Sequence, residues 1–390
     1  MPSSPSWRTS SPGTAERGAV SGSGDRADHE AQLAELRTRI DAIDEELQRL
    51  LNARAAAAQE VAEVKLRADP DAEPVFYRPE REAQVLARVK ARNTGPMGDE
   101  DLARLFREIM SCCLALEQPL TVAYLGPEGT FTEAAAIKHF GHFARACPMA
   151  SIAEVFREVE SGAAHYGVVP VENSTEGVVN HTLDSFMASP LQIAGEVELR
   201  IHHHLLVAPG TEEPGITRIL SHQQSLAQCR AWLDAHWPQV ERIPVASNAE
   251  AAAMIAGAPD AAAIAGEMAA ERYGLVRLAE NIEDHPDNTT RFLVIGCQRV
   301  AASGRDKTTF LVSTRNRPGA LYALLEPFHR AGIMLTRLET RPSRQGNWSY
   351  VFFIDCEGHQ EDAALRRVVG ELEAIAIEVK SLGSYPRAVL

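Results

Sequence analysis

The segment NTTRFLVIG, residues 288–296, decides how the central part of this 390-residue chain folds and what it can bind. A polar stretch from 281 to 288 runs directly into a short apolar run, which is the pattern of a loop followed by a buried strand. Thr290 and Arg291 therefore stand where the strand begins. A guanidinium there suits a carboxylate, and a hydroxyl beside it suits a proton donor. A threonine-rich strand start with a surface arginine gives the same pattern, so the rest of the chain has to decide between the two.

The composition is that of an ordinary globular chain long enough for two or three domains, with 45% hydrophobic and 24% charged residues. A net charge of −14 argues against nucleic acid or an anionic membrane as the main partner, so any anion must bind in a local cationic pocket.

The six cysteines are scattered without a CxxC pair, which favours reduced thiols and a cytoplasmic location. Residues 1–28 are rich in Ser, Gly and Pro and are predicted to be a disordered tail rather than a secretory signal.

Residues 29–118 are predicted to form an all-helical domain. Apolar residues recur at alternating steps of three and four, which is the seam of a coiled coil. They are Leu33, Leu36, Ile40, Ile43, Leu47 and Leu50. No Gly or Pro occurs between Ala31 and Pro70. One helix of about 38 residues would be ~57 Å long, so it must pack on other helices and we expect a dimer. Further helices are predicted from Pro79 to about residue 92 and from Asp99 to Glu117.

Two cations on the long helix share one face. Arg54 and Lys65 are eleven residues apart, which places them within about 20° of each other on a helix with 3.6 residues per turn. Arg37 lies roughly 100° from Arg54 by the same geometry, so we expect it to join them from a partner's helix. A solvated charged face is the other interpretation of these residues.

The run from Leu36 to Leu47, together with the later cations, resembles the all-helical class of chorismate mutase over the whole helical domain. In that family an intertwined dimer binds the chorismate dianion. The resemblance implies a binding site formed by Arg37, Arg54, Lys65, Arg81 and Glu82. It also implies that Lys65 and residue 117 face the ether oxygen of chorismate. This chain has Glu117 where many family members have Gln.

From residue 120 the pattern changes to short apolar strands followed by polar loops and helices. Strands with their loops are predicted at 121–125 and 126–131, at 166–171 and 172–177, at 218–220 and 221–225, and at 261–265 before a helix from 267 to 273. This alternation is typical of an α/β domain with a mostly parallel sheet. Its loops gather at the carboxyl edge of the sheet, where helix N-termini bind anions. Together with Thr290 and Arg291 they predict a cleft for a small carboxylic acid.

Neither a nucleotide nor a metal ion is predicted in this cleft. Gly126 and Gly129 have a spacing that fits neither a phosphate loop nor a dinucleotide fingerprint. The run His202–His204 does not predict a metal site, because successive strand residues point to opposite faces.

Four motifs in this region resemble prephenate dehydratase across residues 120–298. They are LGPEGTFTEAA from 125, VVPVENSTEGVVNHTLDSF from 168, SHQQSLAQC from 221 and TRFLVIG from 290. The resemblance implies two α/β subdomains around a cleft, similar to a periplasmic binding protein. It implies that Thr290 is the essential hydroxyl and that Arg291 positions or neutralises charge. Glu172, Asn173 and Gln224 would then orient prephenate.

A third unit is predicted at 306–387, after a short linker. Its βαββαβ order of strands and helices is an α+β sandwich. The segments GAL at 319–321 and ETRP at 339–342 resemble the phenylalanine-binding motifs of a regulatory ACT domain. The residues that this resemblance assigns to phenylalanine are Gly319, Ala320, Leu321, Glu339, Arg341 and Pro342.

The three resemblances together follow the domain order of bifunctional chorismate mutase–prephenate dehydratases. They imply conversion of chorismate to prephenate and of prephenate to phenylpyruvate, with regulation by phenylalanine and no cofactor. A homodimer or a higher homo-oligomer is expected. The alternative is a non-catalytic sensor, in which a binding cleft and an ACT domain report a ligand to the helical dimer. Formation of phenylpyruvate from added chorismate would separate the two hypotheses.

Overall fold

The computed structural model describes residues 24–68, 75–342 and 350–389. Three helices come first, as predicted: α1 (Gly24–Ala68), α2 (Pro79–Arg92) and α3 (Asp99–Glu117). α1 includes residues 24–28, so the predicted tail was assigned five residues too many; the sequence from 25 to 31 contains no Gly or Pro that would prevent a helix. The rest of the predicted tail, residues 1–23, lies outside the described residues.

The described part of the chain divides within α1, between Ala57 and Ala58, into two units. In the first unit the apolar seam of α1 is about half exposed, with Leu36 at 53% and Ile40 at 55%. In the second unit α2 and α3 pack on each other through buried residues such as Leu86 and Ala103. No helix in the described ranges is long and apolar enough to cross a membrane.

The α/β domain forms two lobes. The first begins with β1 (Thr121–Leu125), α4 (Phe131–Phe140), β2 (Arg145–Met149), α5 (Ile152–Glu160), β3 (Tyr166–Asn173), β4 (Gly177–Val178), α6 (Asn180–Ala188) and β5 (Gln192–Arg200). The second contains β6 (His204–Val207), β7 (Arg218–His222), α7 (Gln223–Gln228), α8 (Arg230–His236), β8 (Glu241–Val245), α9 (Asn248–Ile255), β9 (Ala261–Ala265), α10 (Glu267–Tyr273) and β10 (Val276–Ala279). The chain then returns to the first lobe as β11 (Thr289–Gly296). Two segments therefore cross between the lobes, residues 201–203 and 280–288.

The two sheets are mixed rather than mostly parallel, which corrects the prediction. The first has the order β2-β1-β3-β11-β5, and the second has the order β10-β6-β9-β7-β8. In the first sheet β11 is antiparallel to both β3 and β5, because it enters from the other lobe and runs back between them. In the second sheet β6 is antiparallel to β9. The predicted α/β fold with two lobes is confirmed.

The C-terminal domain has the predicted βαββαβ order. Its elements are β12 (Asp306–Thr314), α11 (Ala320–Ala331), β13 (Leu335–Pro342), β14 (Tyr350–Glu357), α12 (Ala363–Ile375) and β15 (Glu378–Pro386). The sheet order is β13-β14-β12-β15, and α11 and α12 pack together over a core that includes Phe310 and Phe328. β15 also packs against β5 of the first lobe, which joins the two domains.

Candidate active sites

Thr290 lies opposite Asn173 in the antiparallel pair of β11 and β3, at the mouth of the interlobe cleft. The Asn173 Nδ2 donates a hydrogen bond of 2.8 Å to the Thr290 Oγ1. The amide of Asn173 is held in this orientation because its Oδ1 accepts hydrogen bonds from Thr175 and from the Glu176 N–H. Since Thr290 accepts from Asn173, its own hydroxyl hydrogen can be donated to a bound molecule.

The cleft between the lobes has a volume of about 1050 Å³. Thr290, Asn173 and Gln224 all line it, so the structure brings these three predicted residues together. The Gln224 Nε2 donates to the Glu176 Oε2 at 3.4 Å, a contact between the second lobe and the first. No Lys or Arg side chain of the described residues lines this cleft. Its polar groups are hydroxyls, amides, imidazoles and the two carboxylates of Glu176 and Glu250.

Arg291 does not face the cleft, which corrects the prediction that it binds substrate. Its Nε donates to the Glu196 Oε2 at 2.9 Å, and its Nη1 donates to the Asp355 Oδ2 at 2.6 Å. Its Nη2 donates to the Tyr385 hydroxyl at 2.9 Å. The physical reason is strand alternation: successive side chains leave opposite faces, so Thr290 and Arg291 cannot share a site. Burial alone would lower the pKa of Arg291, but Tyr385, Asp355 and Glu196 together raise it, so it stays charged.

Glu172 also contacts the C-terminal domain rather than the cleft. It lies opposite Arg291 in the register of β3 and β11, and its carboxylate is 3.1 Å from the Arg337 Nε. The Arg337 side chain is 7% exposed. The predicted orienting role of Glu172 is thus replaced by an interdomain ion pair, for the same reason of alternation along β3.

The helical domain places Lys65 and Glu117 within electrostatic reach of each other. Lys65 donates to the carbonyls of Val75 and Phe76 at 3.2 and 3.4 Å. Burial lowers the pKa of Lys65, and the charge of Glu117 opposes that change. Arg81 is exposed on α2.

In the first unit, Arg54 is half-buried and Arg37 is exposed on α1. Both cations are therefore presented by the long helix, as the sequence predicts. Their meeting with Lys65 stays a prediction.

Glu82 has a partner that the sequence did not predict. Its carboxylate lies 3.0 Å from the Arg107 Nε of α3, with side chains 13% and 8% exposed. The Arg107 Nη1 also donates to the carbonyls of Lys138 and His139 in α4. Burial raises the pKa of Glu82, and Arg107 opposes the change. The structure therefore gives Glu82 a place in the contact between the helical and α/β domains, not an open position for substrate.

The two regulatory motifs lie on α11 and β13. Gly319 precedes α11 with φ of +80°, a conformation that suits glycine. Ala320 and Leu321 begin the helix, and Leu321 is 38% exposed. Glu339 and Pro342 lie on β13.

Arg341, also on β13, contacts the α/β domain. Its Nη2 is 2.8 Å from the Asp184 Oδ1, and its Nη1 donates to the Asn180 Oδ1 at 2.7 Å. The guanidinium predicted to bind phenylalanine therefore joins β13 to α6.

Sequence analysis missed four polar residues that the structure places in or beside the sites: His203, Gln228, Asn288 and Arg337. The sequence could have predicted the position of Gln228, because this residue follows Gln224 by one helical turn and therefore faces the same cleft. His203 was considered only as a metal ligand. Its two neighbours have separate partners: His202 contacts Glu283, and His204 accepts from the Asn281 N–H. Among the described residues, no group of His, Cys, Asp and Glu is arranged to hold a metal ion.

Three family models match the chain in the order of its domains. The chorismate mutase type II model matches residues 36–118, the prephenate dehydratase model matches 122–299, and the ACT domain model matches 308–374. The fold and the sites thus define a multidomain enzyme with chorismate mutase and prephenate dehydratase domains followed by an ACT domain.

Curated relatives cover nearly the whole chain. A bifunctional chorismate mutase/prephenate dehydratase of Stutzerimonas stutzeri is 62% identical over 92% of this chain and 99% of the relative. One of Aquifex aeolicus is 46% identical over 92% of this chain and 99% of the relative. The chain belongs to the family of bifunctional chorismate mutase/prephenate dehydratases.

A solved structure supports the assignment of the last two domains. The prephenate dehydratase of Arthrobacter aurescens, determined in complex with L-Phe, is 37% identical with a TM-score of 0.65. It covers 69% of this chain and 90% of its own.

Replacing Arg291 by Met is expected to destabilise the contact between the α/β and C-terminal domains. The change leaves the carboxylate of Asp355, a residue that is 1% exposed, without its cation. Breaking a buried ion pair typically costs about 3–5 kcal/mol, so the Tm should fall by several degrees. Arg291→Lys keeps the positive charge but not the several N–H donors of the guanidinium, and should lower the Tm by less than Arg291→Met. Thermal unfolding of the full chain, followed by circular dichroism, measures the effect.

Arg277→Met is the matched control. Its pair with Glu267 lies at the surface, with side chains 40% and 58% exposed. Exposed pairs contribute about 0–1 kcal/mol. Equal shifts in Tm for the two Met variants would contradict a special role for the buried pair.

Proposed function

We propose that the interlobe cleft converts prephenate to phenylpyruvate, with Thr290 as the donor to the departing ring hydroxyl. The hydrogen bond from Asn173 to the Thr290 Oγ1 carries this proposal, because it leaves the threonine hydrogen to point into the cleft. The ring hydroxyl takes a proton from Thr290 and departs as water, and Thr290 regains a proton from solvent. The electron pair of the bond to the ring carboxylate enters the ring as that group departs as carbon dioxide, and aromatisation supplies the driving force. Gln224, at the start of α7, lines the cleft and would orient the substrate.

The electrostatics of the cleft suit a decarboxylation. A carboxylate that leaves as neutral carbon dioxide loses its charge in the reaction. A cation fixed beside it would stabilise the ground state more than the transition state and slow the step. The cleft instead offers neutral donors, among them the N-terminal turns of α4 and α9, whose caps are Thr130 and Ser247. These groups would hold the substrate without a full positive charge.

The helical domain is the proposed site of the chorismate rearrangement. That reaction needs a compact substrate conformer and positive charge near the breaking ether bond, not a nucleophile. Lys65 and Glu117 are assigned to the ether oxygen, and the arginines at 54, 81 and, from a partner subunit, 37 are assigned to the carboxylates. The half-exposed apolar seam of α1 supports a homodimer that places the partner's helix beside this site.

Phenylalanine is the proposed regulator, bound at the motifs around Gly319 and Glu339. β13, which carries the second motif, also carries Arg337 and Arg341, whose guanidiniums contact Glu172 and Asp184 of the α/β domain. A ligand that changes the position of β13 would therefore act on the residue next to Asn173. The chemistry of the pathway and the reduced cysteines fit a cytoplasmic enzyme.

Thr290→Ala is expected to lower dehydratase kcat by about 10²–10⁴-fold, the usual loss when a general acid is removed. Mutase activity should stay near that of the unmodified enzyme, because the helical domain is separate. Thr290→Ser, which keeps a hydroxyl, should retain much of the rate. Thr289→Ala is the matched control, since Thr289 does not line the cleft. Parallel loss of both activities in Thr290→Ala would indicate a folding defect rather than a lost donor.

Gly319→Val is expected to remove inhibition by phenylalanine. Gly319 has φ of +80°, and nothing lies within 4 Å of the position that a Cβ would occupy, so a valine would stand in the space proposed for the ligand. Gly332→Val is the matched control at the other end of α11, with φ of +65° and equally open surroundings. Both variants strain the backbone alike, so only the first should be insensitive in a dehydratase assay with added phenylalanine. Equal inhibition of both variants would place the regulatory site elsewhere.

Glu117→Gln is expected to change the pH dependence of the mutase reaction. A carboxyl group can donate a hydrogen bond to the ether oxygen only while protonated, whereas an amide donates at every pH. Mutase kcat/KM of the unmodified enzyme should therefore decline as pH rises, and the variant should show no such decline. Measurement from about pH 5 to 9 in both forms tests this, with dehydratase activity as the internal control. Superimposable mutase profiles would place Glu117 outside the site.

A further inference from the structure

In the second lobe, the junction of β7 and α7 lies beside Asn248, the first residue of α9. Asn248 lines the interlobe cleft, as do His222 and Ser225 of that junction. Thr290, the proposed donor, lines the same cleft from β11 of the first lobe. Asn248 therefore borders the space for the substrate from the lobe opposite to Thr290.

The side-chain amide of Asn248 is fixed in one orientation. Its Oδ1 accepts from the His222 N–H at 3.2 Å and from the Ser225 Oγ at 3.0 Å. A backbone N–H can only donate, so the amide atom that it contacts is the oxygen and not the nitrogen. The Ser221 Oγ lies 3.0 Å from the same oxygen and donates to the Ile264 carbonyl at 2.7 Å. Exchanging the oxygen and the nitrogen would bring two N–H donors together.

The amide nitrogen of Asn248 is thereby left for a bound molecule. Within the described ranges of the chain, no residue accepts a hydrogen bond from this Nδ2, whereas the oxygen of the same amide is fully engaged. Because the side chain lines the cleft, its two N–H groups are donors to what the cleft holds. A carboxylate is the acceptor that such donors bind most strongly.

Prephenate carries two carboxylates with different fates. The ring carboxylate departs as carbon dioxide, whereas the side-chain carboxylate is retained in phenylpyruvate and keeps its charge throughout. A group that binds the retained carboxylate stabilises the substrate and the transition state alike, so it determines affinity rather than rate. The ring hydroxyl and the side chain stand at opposite ends of the ring. A substrate with its hydroxyl at Thr290 therefore extends its retained carboxylate away from β11.

We propose that Asn248 binds the retained carboxylate of prephenate through its Nδ2, as a substrate-binding residue of the second lobe. The inference rests on the function proposed for the cleft and names the group that receives the charged end of the substrate. Glu250, a carboxylate two residues further along α9, is held in the cap of that helix, because its Oε2 accepts from the Ala246 N–H at 3.0 Å.

Two substitutions separate a donor to the substrate from a structural contact. Asn248→Asp keeps an oxygen for His222 and Ser225 but replaces the donating nitrogen by a second carboxylate oxygen. Asn248→Ala removes both groups and adds no charge. If Asn248 donates to a carboxylate, KM for prephenate should rise by about 10–100-fold in Asn248→Ala, and by more in Asn248→Asp, where like charges repel. A purely structural role predicts the reverse order, because Asp keeps the acceptor.

The product provides a second measurement on the full chain. Phenylpyruvate keeps the same carboxylate, so its inhibition constant against prephenate should rise in the same order as KM and by a similar factor. Carbon dioxide release follows the reaction without interference from added phenylpyruvate. In both variants kcat should change by less than about threefold, as expected for a contact made equally in the ground state and the transition state. A rise in KM without a rise in the inhibition constant, or the reverse order of the two variants, would overturn the proposal.

Controls separate binding from folding and from the net charge. Gln223→Glu makes the same change from amide to carboxylate on an exposed residue that does not line the cleft, and should leave KM unchanged. Unaltered mutase activity and Tm would show that Asn248→Asp is folded; if its Tm falls, KM and the inhibition constant of Asn248→Ala decide alone. Unchanged KM in both Asn248 variants, together with loss of kcat in Thr290→Ala, would overturn this inference and leave the function of the cleft intact. Full dehydratase activity in Thr290→Ala would instead contradict the proposed function.

Discussion

A buried ionic cluster centred on Arg291 holds the C-terminal domain against the α/β domain. Glu196, which is 4% exposed, accepts from both Arg291 and Lys307, and Asp355 accepts from the other arm of the same guanidinium. Tyr385 accepts from Arg291, and Thr309 donates to Asp355. Burial raises the pKa of Tyr385, which therefore keeps its proton for Thr309. Every charge in the cluster is thereby paired, which is the condition under which buried charges are tolerated.

This cluster lies on the face of β11 opposite the cleft, so neighbouring residues of the TRFLVIG motif point in opposite directions. β11 presents Thr290 to the cleft and Arg291 to the C-terminal domain, so consecutive residues serve different domains. The sequence was sufficient to predict the three-domain order, strand ends such as Thr121 and Ala265, and the position of Thr290 at the cleft, because these depend on local pattern or on motif. The sequence was not sufficient to predict the contacts of Arg291 or Glu172, because their partners come from segments that are distant in sequence. The motif identifies the residues, but only the tertiary contacts identify what each side chain touches.

The sequence also did not predict the contacts of β13 or the mixed strand directions of the two sheets. Arg337 and Arg341 contact Glu172 and Asp184, which lie on β3 and α6 of another domain. A strand expected only to bind a regulator is therefore also part of the interface between the C-terminal and α/β domains. β13 carries the ETRP motif and, on the same strand, the two arginines that contact the α/β domain. The sequence pattern likewise does not predict that β11 is antiparallel to its neighbours, because that direction results from the return of the chain out of the second lobe.

The two proposed reactions need opposite electrostatic environments, and each reaction is assigned to a separate domain. The rearrangement of chorismate develops negative charge on an ether oxygen, which a nearby cation such as the proposed Lys65 would stabilise. The dehydration of prephenate removes a charged carboxylate as a neutral gas, which a fixed cation would oppose. A single site could not provide both environments. The helical domain carries several cations on its helices. The cleft, in the part of the chain that the structure describes, is lined by neutral polar groups and two carboxylates. Arg291, although adjacent to Thr290 in sequence, is held in a buried cluster on the other face of the strand. The orientation of Arg291 away from Thr290 thus joins the two domains and keeps its positive charge out of the cleft.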